Sequence, residues 1–270
     1  MRLINRRPDR TAGLLLAILP FALVLLAYVL GSAERLAENP ADKLLPSLAT
    51  IGDAIARVAF IPDARTGDYV LWSDTLASLE RLASALALST IIALVAGMLI
   101  GLLPGVRALL ASFVGMVSMV PPLALLPILF IVLGLGEASK IALIVIGVTP
   151  FLIRDLAMRV QELPREQIIK AETLGASTWL IALRIVLPQI LPRLIDGVRL
   201  SLGPAFLFLI AAEAIAADSG LGYRIFLVRR YLSMDVILPY VAWITLLSVL
   251  MDFALAKLRD AAFPWFGGAK

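Results

Sequence analysis

The sequence contains no cysteine and no histidine. Without cysteine it forms no disulfide, offers no thiol nucleophile and builds no thiolate metal site. Without histidine it has no imidazole ligand for zinc and no base for the catalytic triads that need one. Charge is scarce as well: 16% of the 270 residues are Asp, Glu, Lys or Arg, where an ordinary globular chain carries about a quarter. What fills the space is apolar, with 61% hydrophobic residues and a mean hydropathy of +0.96. So few polar side chains cannot cover the outside of a water-soluble domain, and the surplus requires a bilayer as its solvent. In that setting the net charge of +4 and the pI near 9.6 read as basic loops that set orientation, not as a nucleic-acid footprint, and no nucleic-acid partner is expected.

A helix that crosses a bilayer needs about 20 mostly apolar residues. By that criterion the chain offers about six spans, near Ala12–Leu30, Thr75–Leu103, Leu109–Gly134, Ser139–Ala157, Leu194–Ala217 and Val236–Leu255. The first follows a basic leader with Arg2, Arg6, Arg7 and Arg10 and precedes Gly31-Ser32-Ala33. This is also the outline of a cleaved secretory signal, but the apolar run is long and a retained helix is favoured. The chain divides accordingly into an N-terminal segment 1–11, a first span 12–30 and a polar loop 31–74. A core 75–258 follows, with an unusually long polar break from Arg154 to Arg193, and then a tail 259–270. Within the polar loop, Leu48, Ile51, Ile55, Val58 and Ala59 follow helical spacing, which predicts an amphipathic helix over Ser47–Phe60.

Lys and Arg in short loops set orientation. An inside N-terminus places inside the leader, Arg107, the break with Arg154, Arg159, Arg165, Lys170, Arg184 and Arg193, and then Lys257 and Arg259. The polar loop, with Arg35, Lys43, Arg57 and Arg65 outweighed by acids, falls outside; the outer segment with Arg224, Arg229 and Arg230 runs against the rule. Both termini are therefore expected on the cytoplasmic side.

No energy-coupling site is visible. Gly134-Leu-Gly-Glu-Ala-Ser139-Lys140 approaches a phosphate loop, but Ser139 stands at the second required glycine and Ile141 where Ser or Thr would bind magnesium. The segment reads as a short extracellular turn. The polar break says more. Glu166 and Lys170 stand four apart with the acid first, Ala171 is a small contact position, Gly175 fits a left-handed helix end, and Ser177 can cap a second helix running into Leu187-Pro188. Such a helix–Gly–helix unit suits docking into a partner's groove; a linker with ordinary caps is the alternative.

Inside the spans, Pro121 and Pro122 remove two backbone donors, and Gly203-Pro204 reads as a second interruption. Freed carbonyls in hydrocarbon must face protein or a watery path, so these breaks, like Glu213, are candidates for a translocation path. A packed kink explains the prolines equally well, and a structural pair for Glu213, with a base such as Arg224, is favoured over a pathway role. Arg199 is placed at the cytoplasmic end, snorkelling to water. Tyr223, Arg224, Arg229, Arg230 and Tyr231 form an outer basic segment that either meets a protein partner or is a solvated amphipathic helix.

The run Ala171-Glu172-Thr-Leu-Gly175-Ala176-Ser177-Thr-Trp-Leu-Ile-Ala-Leu-Arg-Ile-Val-Leu187-Pro188 resembles the cytoplasmic loop signature of binding-protein-dependent ABC permeases, although Ile169 stands where that motif opens with an acid. Val120-Pro121-Pro122-Leu-Ala-Leu-Leu-Pro127 with Leu133–Lys140, and Ala211–Tyr223, are similar to the nitrate, sulfonate and taurine branch. Gly222–Pro239 also resembles permeases linked to urea or guanidine-type solutes. The resemblance implies an all-α membrane protein of the type I ABC importer permease fold in the bacterial inner membrane, without catalysis of its own. It implies a second permease copy in a homodimer, two ATPase subunits that bind the ATP and magnesium, and a periplasmic solute-binding protein. Residues 158–193 of the break become a coupling loop through Glu166, Lys170, Ala171, Glu172, Gly175, Ala176, Ser177, Leu187 and Pro188. A self-sufficient secondary transporter would need an internal repeat and an ion site, neither of which is evident. An intramembrane enzyme would need paired carboxylates on facing helices.

Overall fold

The computed structural model describes residues 9–40, 42–64 and 67–266. Arg2, Arg6, Arg7 and Arg65, used above for orientation, lie outside them. In chain order the helices are α1 (Arg10–Glu38), α2 (Leu48–Phe60), α3 (Val70–Leu102), α4 (Pro104–Val117), α5 (Leu126–Leu133), α6 (Glu137–Gln161), α7 (Arg165–Thr173), α8 (Thr178–Ile181), α9 (Leu187–Ala216), α10 (Leu221–Arg229) and α11 (Met234–Ala262). Among the described residues, five helical runs are long and apolar enough to cross a membrane, and a sixth span results if the bent pair α4–α5 counts as one. The chain forms two compact units, residues 1–69 with 228–240 and residues 70–227 with 241–270.

In the smaller unit, α1 is apolar all round, with Ser32 its buried residue, the pattern of a helix made for lipid. Its polar end organises the return of the chain. The Ser32 hydroxyl donates to the Leu45 carbonyl at 2.9 Å and the Tyr28 hydroxyl to that of Pro46 at 2.6 Å. Arg35 meets Asp42 at 2.5 Å, and that hydrogen bond holds the Asp42 carboxyl below the usual carboxylate range. The predicted amphipathic segment forms α2; Ser47 caps it by accepting from the Thr50 amide at 3.1 Å.

The larger unit is built on α3 and α6, which run parallel. A Cβ on Gly97 would stand 2.9 Å from the Leu156 Cβ, and one on Gly101 2.5 Å from the Val160 Cβ, so the two glycines let the backbones approach as small residues do between membrane helices. Helix α9 lies antiparallel to α6: Gly147 is covered by the Phe208 ring, and further along α6 Leu152 approaches Gly197. Leu82, Leu143, Ile144, Leu152, Leu156, Ile190, Leu202 and Leu209 fill the interior.

One expected interruption is present and the other is not. Leu109–Gly134 is broken at Pro121-Pro122, as the prolines predict. It is α4, a 3₁₀ turn over Pro122–Leu125 and α5, bent by 82°, because consecutive prolines withdraw the amides that would continue α4. Conversely, Gly203-Pro204 interrupts nothing: helix α9 runs through Pro192 and Pro204. Pro204 and Leu200, whose carbonyl loses its amide partner, both border a cavity that leaves room for the ring. The helical run begins at Thr178 and passes a π-helical stretch, Ala182–Val186. Pro188 would clash with the carbonyl four residues earlier, that of Arg184, and the wider turn there accommodates it.

The glycine seam generates a test. Gly101→Ala gains about 1 kcal/mol of helix propensity but forces a methyl onto Val160, and overpacking costs about 1–3 kcal/mol; net destabilisation is expected. Gly115→Ala in α4, whose added Cβ meets nothing within 4 Å, should be neutral or mildly stabilising. Unfolding by dodecyl sulfate titration in mixed micelles reads both.

Candidate functional site

The break between α6 and α9 is an ordered helix–turn–helix. Arg159 and Arg193 both reach Glu162 at 3.2 Å and tie the end of α6 to the start of α9 at its base. Pro164 precedes α7, in which Glu166 occupies the first turn and Lys170 the last, each at the end its charge favours. Gly175 ends the helix at φ +80. The Ala176 amide reaches back to the Ala171 carbonyl at 3.0 Å and the Gly175 amide to that of Glu172 at 2.9 Å, a Schellman closure that needs the left-handed residue. Ser177 then caps α8, accepting from the Leu180 amide at 3.3 Å. Gln189 of α9 donates to Gln167 of α7 at 2.9 Å and fastens the loop to the bundle. Leu187 and Pro188 continue the run into α9.

Between α7 and α8 lies an open groove of about 540 Å3 lined by Ala171, Leu174, Gly175, Ala176, Leu180, Arg184 and Ile185. Leu174 is 79% exposed and Trp179 72%. Large apolar side chains held outward on a rigid polar loop mark a surface made to be covered. Ile169, in the place of the expected acid, is exposed on the same loop.

The candidate path residues separate into groups. Pro122 and Pro204 border one cavity of about 300 Å3, together with Ser118, Pro150, Ser201 and Phe208. The bend beside it is anchored by Arg154, which donates to the Ser118 hydroxyl at 2.7 Å. Pro121, Gly203 and Glu213 are not part of its lining.

Glu213 is fully buried and pairs with Arg81 of α3, not with Arg224. Arg81 Nη1 donates to Glu213 at 2.7 Å and to the Ser219 carbonyl at 2.8 Å. The Nε and Nη2 fork of Arg81 takes Glu137, the latter bond at 2.9 Å, and Lys140 donates to the same carboxylate at 2.8 Å. The stretch read as an extracellular turn therefore ends at Gly136. Glu137 to Lys140 belong to α6, and Lys140 is buried, its charge met by Glu137 one turn earlier on the same helix. Three consecutive amides at the start of α10 are each met by a side chain: Gly220 by Asp74 at 3.0 Å, Leu221 by Ser78 at 2.8 Å and Gly222 by Glu213 at 2.8 Å. Gly220, at φ +127, has no space for a Cβ, which would stand 2.6 Å from the Glu213 carboxyl. The Gly-Leu-Gly turn is thus nailed to α3 and α9 by groups that otherwise would be unsatisfied in hydrocarbon.

Of the outer basic set, Arg224 is engaged with Asp74 at 2.8 Å and lies 5.8 Å from the Tyr223 ring centre, whereas Arg229 and Arg230 are exposed. Arg199, read as snorkelling, is instead clamped by Asp252 and Asp196 at 2.9 and 3.0 Å. Arg81, Asp74 and Ser78 were given no site role from the sequence, and Glu137 and Lys140 were read only as part of a turn motif. Arg81 within an apolar run was the signal available, since an intramembrane charge calls for a partner.

Residues 85–262 match the family described as the binding-protein-dependent transport system inner membrane component. The taurine transport system permease protein of Escherichia coli K12 is 34% identical over 200 residues, 74% of this chain and 73% of that protein. The bicarbonate transport system permease protein of Synechocystis sp. is 30% identical over 199 residues, 73% of this chain and 71% of that one. In fold, the chain is similar to an inward-facing structure of the MetNI methionine ABC transporter, with a TM-score of 0.60 at 21% identity, over 71% of this chain and 96% of that one.

Glu213→Ala should cost about 3–5 kcal/mol, the scale of breaking a buried pair from one side, since it strands Arg81 and the Gly222 amide. Arg230→Ala, on the exposed surface, should stay within about 0.5 kcal/mol. The same micellar unfolding assay separates the two.

Proposed function

This chain belongs to the binding-protein-dependent transport system inner membrane components, the multi-pass permease subunits of ABC importers, and on that footing we propose that it carries a small sulfonate-, taurine- or nitrate-like solute inward. Relatives named for taurine and bicarbonate transport support the class of solute, and the taurine relative favours sulfonates over the urea or guanidine type. Two copies pair as a homodimer, two ATPase subunits bind the ATP and magnesium, and a periplasmic protein delivers the solute. Both termini and the α7–α8 loop face the cytoplasm. The outer ends of α3, α6 and α9 carry the Arg81–Glu213 cluster, and Arg229 and Arg230 are offered to the binding protein.

The observation that carries this reading is the α7–Gly175–α8 unit, a rigid polar loop with an apolar groove on its open side. A docked ATPase covers Leu174, Leu180 and Trp179. Because Gln189 and Glu162 fasten the loop to α9 and α6, closure of two ATPases on ATP drags these helices and reopens the path outward. Glu166, Lys170, Ala171, Glu172, Ala176 and Ser177 shape that contact, and Leu187 and Pro188 join it to α9. Pro121, Pro122 and Pro204 mark where the path bends past the 300 Å3 cavity. Gly203 leaves the exposed face of α9 open beside it.

Proteoliposomes holding this chain should take up taurine when its ATPase, ATP and binding protein are all supplied. Appreciable uptake by the chain alone would identify a secondary transporter instead. Gly175→Val places a β-branched residue at positive φ, a strain of about 1–3 kcal/mol, confined to the loop. The variant should insert normally yet lose ATPase co-purification or solute-stimulated ATP hydrolysis, and normal values of both would refute the docking role.

A further inference from the structure

Two carboxylates share Arg81, and they are held in different ways. Glu213 is fully buried and is also met by Ser78 and the Gly222 amide. The side chain of Glu137 is 55% exposed, and among the described residues its partners are Arg81 and Lys140, cations only 7% and 4% exposed. It lies in the first turn of α6, where the helix N-terminus adds to the attraction for an anion. The planar Nε/Nη2 fork of Arg81 is the group best suited to grip an oxyanion through two oxygens, and Lys140 supplies a third donor to the same point.

We infer that Arg81 and Lys140 form a transient binding site for the oxyanion group of the solute, a sulfonate or carboxylate, and that Glu137 is its built-in occupant, displaced when the solute arrives. The inference rests on the transport reading above and deepens it. Glu137 cannot leave without a replacement, because Lys140 would remain buried and unpaired, a costly state inside a membrane protein. An arriving oxyanion removes that cost by taking the same donors while the exposed Glu137 carboxylate turns to water. Exchange of one carboxylate-like group for another is nearly balanced. The tethered competitor keeps the affinity weak, as an intramolecular ligand at millimolar or higher effective concentration does. Weak holding suits a path that must release its cargo. On the proposed topology the site stands at the outer end of α3 and α6, where solute enters, and the Nη1 side of Arg81 keeps Glu213 and Ser219 in place during the exchange.

The test uses the intact permease–ATPase complex in phospholipid-free maltoside micelles, titrated calorimetrically with methanesulfonate at fixed ionic strength. Glu137→Gln removes the competing charge and should tighten methanesulfonate binding at least about tenfold. Adding Lys140→Met to that variant should abolish the gain, and methylammonium should show none. Glu137→Asp, which keeps the charge but shortens its reach, gives an intermediate gain and serves if the glutamine variant does not assemble. A variant that retains its ATPase and its melting temperature but binds methanesulfonate no better than wild type overturns the site, as does a gain that survives Lys140→Met. ATP-driven uptake by the wild type is read separately, so loss of the site and loss of the transport function are told apart.

Discussion

Two glycines hold α3 and α6 so close that Leu156 and Val160 lie where their side chains would be, and most of the larger unit follows from that contact. Parallel helices pressed together bring the early turns of α3 level with the start of α6, which is why Arg81 meets Glu137, the carboxylate that Lys140 also grips. Between parallel helices the chain must return across the membrane, and it does so through α4 and α5 with their proline bend. The antiparallel α9 then closes on α6 through one small position on each helix, Gly147 of α6 and Gly197 of α9. Association inside a bilayer draws little from the hydrophobic effect, so close packing and polar pairing carry the load.

The polar groups are divided between the ends of this packed unit. At one end Arg81, Glu213 and Ser78 satisfy one another, and Asp74, Ser78 and Glu213 take the Gly-Leu-Gly amides. At the other, Glu162 with Arg159 and Arg193 braces the α7–α8 loop. The loop itself departs from the economy of the fold, leaving Leu174 and Trp179 open. Among the described residues only the hydroxyls of Ser89 and Thr149 are buried without a partner, so the open Leu174 and Trp179 are the surface that, on the proposed function, the ATPase covers, and Gln189 joins their loop to α9.

What was legible in the sequence was local or periodic. Long apolar runs announce spans, Gly175 announces a left-handed helix end and Ser177 a cap, because each is decided by a few neighbouring residues. Pairings between distant segments were not legible: Glu213 and Arg81 are 132 residues apart, and the nearer Arg224 was the natural guess for its partner. Proline was a sound signal at one site and a false one at the other. Pro121 and Pro122 together break a span outright, whereas Pro204 sits in a continuous helix because a neighbouring cavity accepts its ring. That difference depends on tertiary surroundings, which no window of sequence contains. The seam of Gly97 and Gly101 was legible in kind, since two glycines four apart in an apolar run mark a helix-contact face, but nothing local says that α6 is the helix lying against it.

The absence of cysteine makes one direct measurement simple. Leu174→Cys places a single thiol on the open loop, at a side chain 79% exposed, and can be cross-linked by a short bifunctional reagent to single cysteines introduced around the surface of the ATPase. The account predicts a specific product with one groove of the ATPase in a transport-competent complex, with a yield that changes on ATP binding. A complex that transports but gives no ATPase adduct from position 174 would contradict it.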